Sequence, residues 1–199
     1  MSKSSPKPAF DMVAMAASAG GLAACSKVLS GLHDDFPAAI LLVQHLDPRH
    51  RSLMAEILSR RTALPVKQAV EGERIVQGTV YVAAPDRHLL VNPDHSLSLT
   101  QSELVHFVRP SADLLFESVA ASYRTRAIAV VLTGTGTDGS MGVRAIKKMG
   151  GTVICQDEKT SEFFGMPGAA IKTGEVDFIL PLDEIASALV TLVMKGDAE

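Results

Sequence analysis

The hydrophobic positions of the chain alternate between continuous apolar runs and segments with helical spacing. The continuous runs predict buried strands at residues 9–17, 37–43, 66–70, 127–133, 152–155 and 176–180. Between them, apolar residues recur every three or four positions, which predicts helices at residues 22–32, 48–60, 112–123, 141–149 and 182–194. Ser111 is a candidate N-cap of the third helix, and Pro167 suits the first turn of a further short one. Continuously apolar strands that alternate with helices are typical of a parallel sheet covered on both faces.

The segment 71–102 has a different pattern. Glycines and prolines interrupt short β-like runs at residues 78–83 and 95–100, which predict hairpin-like strands inserted between the helical units. The predicted fold class is therefore α/β, a three-layer doubly wound, mostly parallel (Rossmann-like) sheet with an inserted β-hairpin region. Because 199 residues suit one domain, we expect a disordered tail at residues 1–8 and a single domain at residues 9–199.

Composition and charge exclude several classes of protein. Apolar residues make up 47% of the chain, which excludes intrinsic disorder, and the net charge of -3 argues against a general nucleic-acid binder. The polar N-terminus lacks the apolar stretch of a signal peptide, and the apolar runs are too short to span a bilayer. Cys25 and Cys155 are far apart, which predicts two buried thiols and neither a disulfide framework nor a zinc site. We expect a cytoplasmic protein without membrane insertion.

Three residues capable of hydrolytic chemistry follow predicted strands. Ser18 comes after the first, His45 after the second, and Asp138 lies in the loop after the strand at 127–133. Right-handed crossovers place all three loops at one edge of a parallel sheet, where ligands bind. A hydroxyl nucleophile, an imidazole base and a carboxylate that orients the base are the groups a serine hydrolase needs.

Each of these residues also has a structural interpretation. Ser18 lies among small residues, as in a nucleophile elbow, but a serine before a helix is equally often only an N-cap. A single histidine after a strand is usually structural, and an aspartate between glycines is usually a turn residue. Their common edge of the sheet favours the joint catalytic interpretation.

Other ligands are alternatives for the same residues. Residues 134–139 match the dinucleotide fingerprint, with Asp157 near the position expected for ribose binding, but Asp138 would repel a pyrophosphate there. His45, Asp47 and His50 suggest a metal site, although their spacing fits no helical pair of histidines and a solvated loop is favoured. The basic residues at 49–51 and 60–61 are either a solvated helix face, which we favour, or a dock for an acidic protein surface.

Several short motifs occur in the same order as in a known family. They are Ala17-Ser-Ala-Gly-Gly21, Gln44-His45, Gly72-Glu-Arg74, Tyr81-Val-Ala83 with Asp86 and His88, Arg109-Pro-Ser111 with Asp113, Leu132-Thr-Gly-Thr-Gly-Thr-Asp-Gly139, and Phe164-Gly-Met-Pro167. Together these motifs cover nearly the whole chain. In their residues and order, the chain resembles the catalytic domain of the chemoreceptor protein-glutamate methylesterases of the CheB type.

The resemblance implies an activity and its site. It implies hydrolysis of γ-glutamyl methyl esters on the cytoplasmic helices of methylated chemoreceptors, with release of methanol, deamidation of receptor glutamines, and no cofactor or metal. Ser18, His45 and Asp138 match the family's nucleophile, base and orienting acid. The alternatives are a catalytically silent receptor-binding module and a general small-ester hydrolase.

The chain also departs from the family pattern. The family usually has Thr at the position of Ala19, and Met and Asn at those of Thr135 and Thr137. The resemblance implies that the backbone N–H groups of Ala19 and Thr135 are the oxyanion donors. Changes of side chain leave these backbone groups in place. Fewer than ten residues precede the first predicted strand, so we expect no attached receiver domain: the enzyme is constitutive, a separate protein regulates it, or the sequence is the catalytic part of a longer chain.

Overall fold

A seven-stranded parallel sheet forms the centre of the fold. In this computed structural model, which describes residues 8–45 and 52–194, its strands in chain order are β1 (Met12–Ala17), β2 (Ala39–Gln44), β3 (Val66–Gln68), β4 (Val80–Val82), β7 (Ala127–Val131), β8 (Thr152–Gln156) and β9 (Phe178–Leu180). Their spatial order is β3-β4-β2-β1-β7-β8-β9, and every neighbouring pair is parallel. A two-stranded antiparallel hairpin, β5 (His88–Val91) and β6 (Leu97–Thr100), lies outside this sheet.

Helices cover both faces of the sheet, which confirms the predicted three-layer α/β fold. One face packs against α1 (Gly21–Ser30), α2 (Met54–Ser59) and α6 (Leu182–Met194). The other packs against α3 (Ala112–Tyr123), α4 (Ser140–Lys148), α5 (Gly165–Ile171) and the hairpin. Successive side chains of β1 point alternately into the two cores, and all six residues are buried. This two-sided burial is the reason why the strand is continuously apolar.

The predicted insertion is only partly correct. Residues 78–83 were expected in the inserted hairpin region, but Val80–Val82 form β4, a fully buried strand between β2 and β3. The hairpin partner of β6 is instead β5, which the sequence pattern did not predict. Strand β5 packs beneath α3, where the Val91 N–H donates to Ser118 Oγ (3.1 Å).

The predicted helix at 48–60 is wrong in its first described turn. Helix α2 begins only at Met54, whose N–H donates to the Ser52 hydroxyl (3.2 Å), and Leu53 is the N-cap. The predicted start at Pro48 lies outside the described residues, as does the tail expected at residues 1–8, except for Pro8.

The strand order reverses at β1. From β1 the chain first builds the side that contains β2, β4 and β3, and then crosses to the other side through β7. Ligands of open parallel sheets bind where the strand order reverses in this way, outside the carboxyl ends of the strands. The loops after β1, β2 and β7 therefore meet at this edge.

Within the described residues, no helix is long and apolar enough to cross a membrane.

Candidate active site

Ser18 and His45 occupy equivalent positions at the ends of neighbouring strands. Ala17 of β1 pairs with Gln44 of β2, so each candidate residue follows one member of the last pair. The His45 N–H donates to the Ala17 carbonyl (3.1 Å), and the Ser18 N–H donates to the Thr133 carbonyl beyond β7 (3.0 Å). Three adjacent strand ends thus fix the backbone that carries the two side chains.

Ser18 does not cap helix α1. The N-cap is Gly20, whose φ of 75° favours glycine, and no side chain caps this helix. The Ser18 carbonyl accepts hydrogen bonds from the Gly21 N–H (2.8 Å) and from Gln44 Nε2 (2.7 Å), which hold the turn. The Ser18 hydroxyl has no hydrogen-bond partner among the described residues, so the N-cap alternative is wrong.

His45 and Asp138 form a hydrogen-bonded pair across the sheet edge. His45 Nε2 lies 2.8 Å from Asp138 Oδ2, and only 11% of the His45 side chain and 3% of the Asp138 side chain are exposed. Because the carboxylate accepts at Nε2, the neutral ring carries its proton there and keeps Nδ1 free as a base. In the part of the chain that is described, no hydrogen bond joins Ser18 Oγ to this ring. Such contacts often tighten only when a substrate binds.

The N-terminus of α3 holds the Asp138 carboxylate. Ser111 Oγ donates to Oδ1 (2.8 Å), the Ala112 N–H to Oδ2 (2.6 Å) and the Asp113 N–H to Oδ1 (3.1 Å). The positive end of a helix favours an anion at this position. Burial alone would raise the pKa of Asp138, but the hydrogen bonds from His45 and from the backbone outweigh it and lower the pKa below its ordinary value. The carboxylate therefore stays ionised beside the imidazole.

His88 anchors the same end of α3 from the hairpin. This fully buried histidine accepts the Ser111 N–H at Nδ1 (3.1 Å) and donates from Nε2 to the Glu103 carbonyl (3.0 Å). Burial lowers the pKa of His88, which keeps its ring neutral. Nearby, the Arg109 guanidinium binds Asp86 Oδ1 through Nε and Nη2 (2.9 and 2.6 Å). Except for Glu103, these residues lie in the motifs noted above, but their spacing in the sequence did not predict these contacts.

The loop after β7 lies directly against the Ser18 turn. A Cβ atom on Gly134 would come within 2.8 Å of Ser18 Cβ and 2.5 Å of Met166 Sδ, so only glycine allows this approach. Within the described residues, no hydrogen bond uses the backbone N–H of Ala19 or Thr135. Two backbone donors are thus available close to the serine, as an oxyanion site requires.

The structure gives the alternative ligands little support. Asp157 Oδ1 accepts from the Thr160 N–H and hydroxyl (3.0 and 2.6 Å), which makes it a local turn residue. Asp47 and His50 lie outside the described residues, which contain no group of three or more potential metal ligands. Of the basic residues at 49–51 and 60–61, the first three are also outside, and Arg60 pairs with Glu56 (2.8 Å) on a solvated helix face.

Both cysteines are buried free thiols, as the sequence predicted. Burial raises the pKa of Cys25 and of Cys155 to about 12. Neither thiol is therefore a nucleophile at neutral pH, and the serine is the nucleophile candidate at this sheet edge.

One edge of this doubly wound α/β fold thus carries a serine, a histidine–aspartate pair and two backbone N–H groups without a hydrogen bond to the described residues. These are the groups of a serine hydrolase. Comparison with known proteins identifies the family. The CheB methylesterase family profile matches residues 13–189, and the chain belongs to this family.

Solved and curated relatives agree with this assignment. The crystal structure of the Thermotoga maritima CheB methylesterase catalytic domain matches with a TM-score of 0.89 and 36% identity, over 92% of this chain and 99% of the other. A Caulobacter vibrioides protein-glutamate methylesterase/protein-glutamine glutaminase is 41% identical over 92% of this chain and 54% of its own length. A Pyrococcus horikoshii protein of the same name is 41% identical over 94% of this chain and 51% of its own. The chain thus spans about half the length of these two relatives, whereas it covers 95% of a Leptospira interrogans relative that is 38% identical.

Proposed function

We propose that this chain is a protein-glutamate methylesterase that hydrolyses γ-glutamyl methyl esters on chemoreceptor cytoplasmic helices. The observation that carries the proposal is the His45–Asp138 pair. Its members follow the strands on either side of β1, at the edge where the Ser18 hydroxyl has no hydrogen bond to the described residues. The names of the relatives supply the substrate class and extend it to the side-chain amide of glutamine. Because these receptor helices are cytoplasmic, the enzyme acts in the cytoplasm.

The first half of the reaction forms an acyl-enzyme. Ser18 Oγ attacks the ester carbonyl carbon while His45 Nδ1 takes the hydroxyl proton. The N–H groups of Ala19 and Thr135 stabilise the resulting oxyanion, and Asp138 stabilises the imidazolium without itself accepting the proton. The intermediate collapses, the bond to the methoxy oxygen breaks, and His45 returns its proton so that methanol leaves.

The second half uses water in place of the serine. His45 removes a proton from water as the water oxygen attacks the acyl carbon, and the imidazolium then protonates Ser18 Oγ as the acyl bond breaks. The products of the two steps are glutamate and methanol, or glutamate and ammonia from glutamine. Neither step needs a metal or a cofactor.

Methanol release from a methylated chemoreceptor cytoplasmic fragment tests the proposal. We expect the wild type and a Ser26→Ala control, altered on the outer side of α1, to release methanol, and Ser18→Ala to release none while it keeps the circular dichroism spectrum of the folded protein. Methanol release by Ser18→Ala would refute the assigned nucleophile. If the folded wild type hydrolysed p-nitrophenyl acetate but not the receptor ester, a general small-ester hydrolase would replace the proposal. If it hydrolysed neither but bound the receptor, a silent binding module would replace it.

A further inference from the structure

A groove between α4 and α5 carries two cationic side chains close to the proposed site. It has a volume of about 260 Å³, and its walls include Thr137, Ser140, Met141, Arg144 and Lys172. The proposed chemistry uses none of these side chains. The groove is therefore a separate surface that adjoins the catalytic edge of the sheet.

The groove opens at the loop that contains the proposed oxyanion donor. Thr137 lies two residues after Thr135, and Gly165, at the start of α5, packs so closely on this loop that a Cβ would come within 2.9 Å of the Gly136 N. Helices rise 1.5 Å per residue, so Arg144 lies about 6 Å along α4 from Ser140. By the same rise, Lys172 lies about 10 Å along α5 from Gly165. Both cations are thus one to two helical turns from the loop.

The two cations are not neutralised locally. Arg144 and Lys172 are exposed, and neither has an ion-pair partner among the described residues. By contrast, the half-buried Lys147 of α4 pairs with Asp177 (2.7 Å). Met141, Arg144 and Lys148 are three and four residues apart and share the exposed face of α4, which gives a basic stripe beside the groove.

A carboxylate lies beside the serine turn itself. Glu162 lies so close to the Ser18 turn that a Cβ on Gly20 would come within 2.6 Å of its Oε2. The chain as a whole carries a net charge of -3. The groove, with two cations that have no ion-pair partner among the described residues, is therefore locally basic on an acidic chain. A bound anionic segment is therefore favoured over the α4–α5 groove and opposed next to Glu162.

We propose that the α4–α5 groove binds carboxylate side chains of the substrate helix, one or two turns from the esterified glutamate. This inference rests on the proposed methylesterase function and names the feature of the substrate that the site recognises. Residues three, four and seven positions apart share one face of a helix. Four residues span about 6 Å and seven span about 10 Å, which match the distances of the two cations from the loop. Each hydrolysed ester leaves a new carboxylate, so the groove also favours helices that are already partly demethylated.

The test is the kinetics of methanol release from a methylated receptor fragment, for wild type, Arg144→Gln, Lys172→Gln and the double variant. Exposed charge pairs contribute little individually, so we expect each single variant to raise KM about two- to fourfold and the double variant about three- to tenfold, with kcat unchanged. Added salt is expected to raise the KM of the wild type and to have less effect on the double variant. The matched control is Arg124→Gln, which removes an exposed cation before β7, at the opposite edge of the sheet.

Each outcome decides one claim. A double variant with the wild-type KM at low salt, or a KM rise as large in Arg124→Gln, would overturn the groove proposal and leave the methylesterase function intact. A fall in kcat with KM unchanged would also overturn it, because a docking role acts on substrate binding. Failure of the folded wild type to release methanol would instead refute the proposed function, and the groove proposal with it.

Discussion

Replacement of Ser111 by alanine tests how the Asp138 carboxylate is held. The hydroxyl of this fully buried residue donates to Asp138 Oδ1 at 2.8 Å and accepts the Leu114 N–H at 3.4 Å. A hydrogen bond to a charged group contributes about 1.5–3 kcal/mol, and loss of an N-cap costs about 0.5–2 kcal/mol. Because the capping bond is long, we take the low end of its range and expect Ser111→Ala to lower the free energy of unfolding by about 2–3 kcal/mol.

The effect on activity is expected to be smaller than that of changing the carboxylate itself. In Ser111→Ala, Asp138 keeps its hydrogen bonds to His45 and to the N–H groups of Ala112 and Asp113, so kcat should fall only about tenfold. Urea unfolding followed by circular dichroism measures the stability, with the exposed helical serine variant Ser187→Ala as the control. If Ser111→Ala lost no more stability than this control, within about 0.5 kcal/mol, the bond to Asp138 would not be a significant support of the site.

Further predictions concern the carboxylate, the loop glycine and the thiols. Asp138→Asn should lower kcat about ten-thousandfold, because the amide no longer fixes the imidazole tautomer. Since the pKa of Asp138 is lowered in the folded protein, its stabilisation is complete above its ordinary value of 3.8 and is lost as the pH falls further. The difference in unfolding free energy between wild type and Asp138→Asn should therefore fall as the pH drops below about 4, and a difference that stayed constant from about pH 5 to pH 2 would contradict this. Gly134→Ala should lower the free energy of unfolding by about 1–3 kcal/mol and reduce methanol release, because the added Cβ meets Ser18 and Met166. Thr135→Ala should instead keep the rate of methanol release within about threefold, because the proposed mechanism uses only the backbone of Thr135. Both cysteines, with a pKa of about 12, should resist a thiol-modifying disulfide reagent at pH 8 until urea unfolds the chain; rapid modification of the native protein would refute their burial.

The sequence predicted where the candidate site residues lie because the signals there are local. Strands β1, β2 and β7 lie at the centre of the sheet and are buried on both faces, so each appears as a continuous apolar run. Ser18, His45 and Asp138 stand out as the polar residues that follow these runs. Parallel strands then bring their loops to one edge without any knowledge of side-chain contacts.

The parts that the sequence did not predict depend on contacts between distant segments. Strand β4 has only three residues, and its place between β2 and β3 depends on pairing with both, which its own pattern does not show. The support of Asp138 by the start of α3 joins residues 25 to 27 positions apart. Ser111 gave a partial signal as an N-cap candidate, but an N-cap pattern does not show that the same hydroxyl also binds a carboxylate.

A double-mutant cycle on methanol release tests most directly whether Ser18, His45 and Asp138 act as one unit. Members of such a unit are strongly non-additive, because loss of the nucleophile removes the step that the base assists. We expect Ser18→Ala and His45→Ala each to reduce kcat by about four orders of magnitude or more, and the double variant to be no slower than Ser18→Ala alone. Losses that multiply in the double variant would mean that the two residues act independently, and would contradict the proposed site.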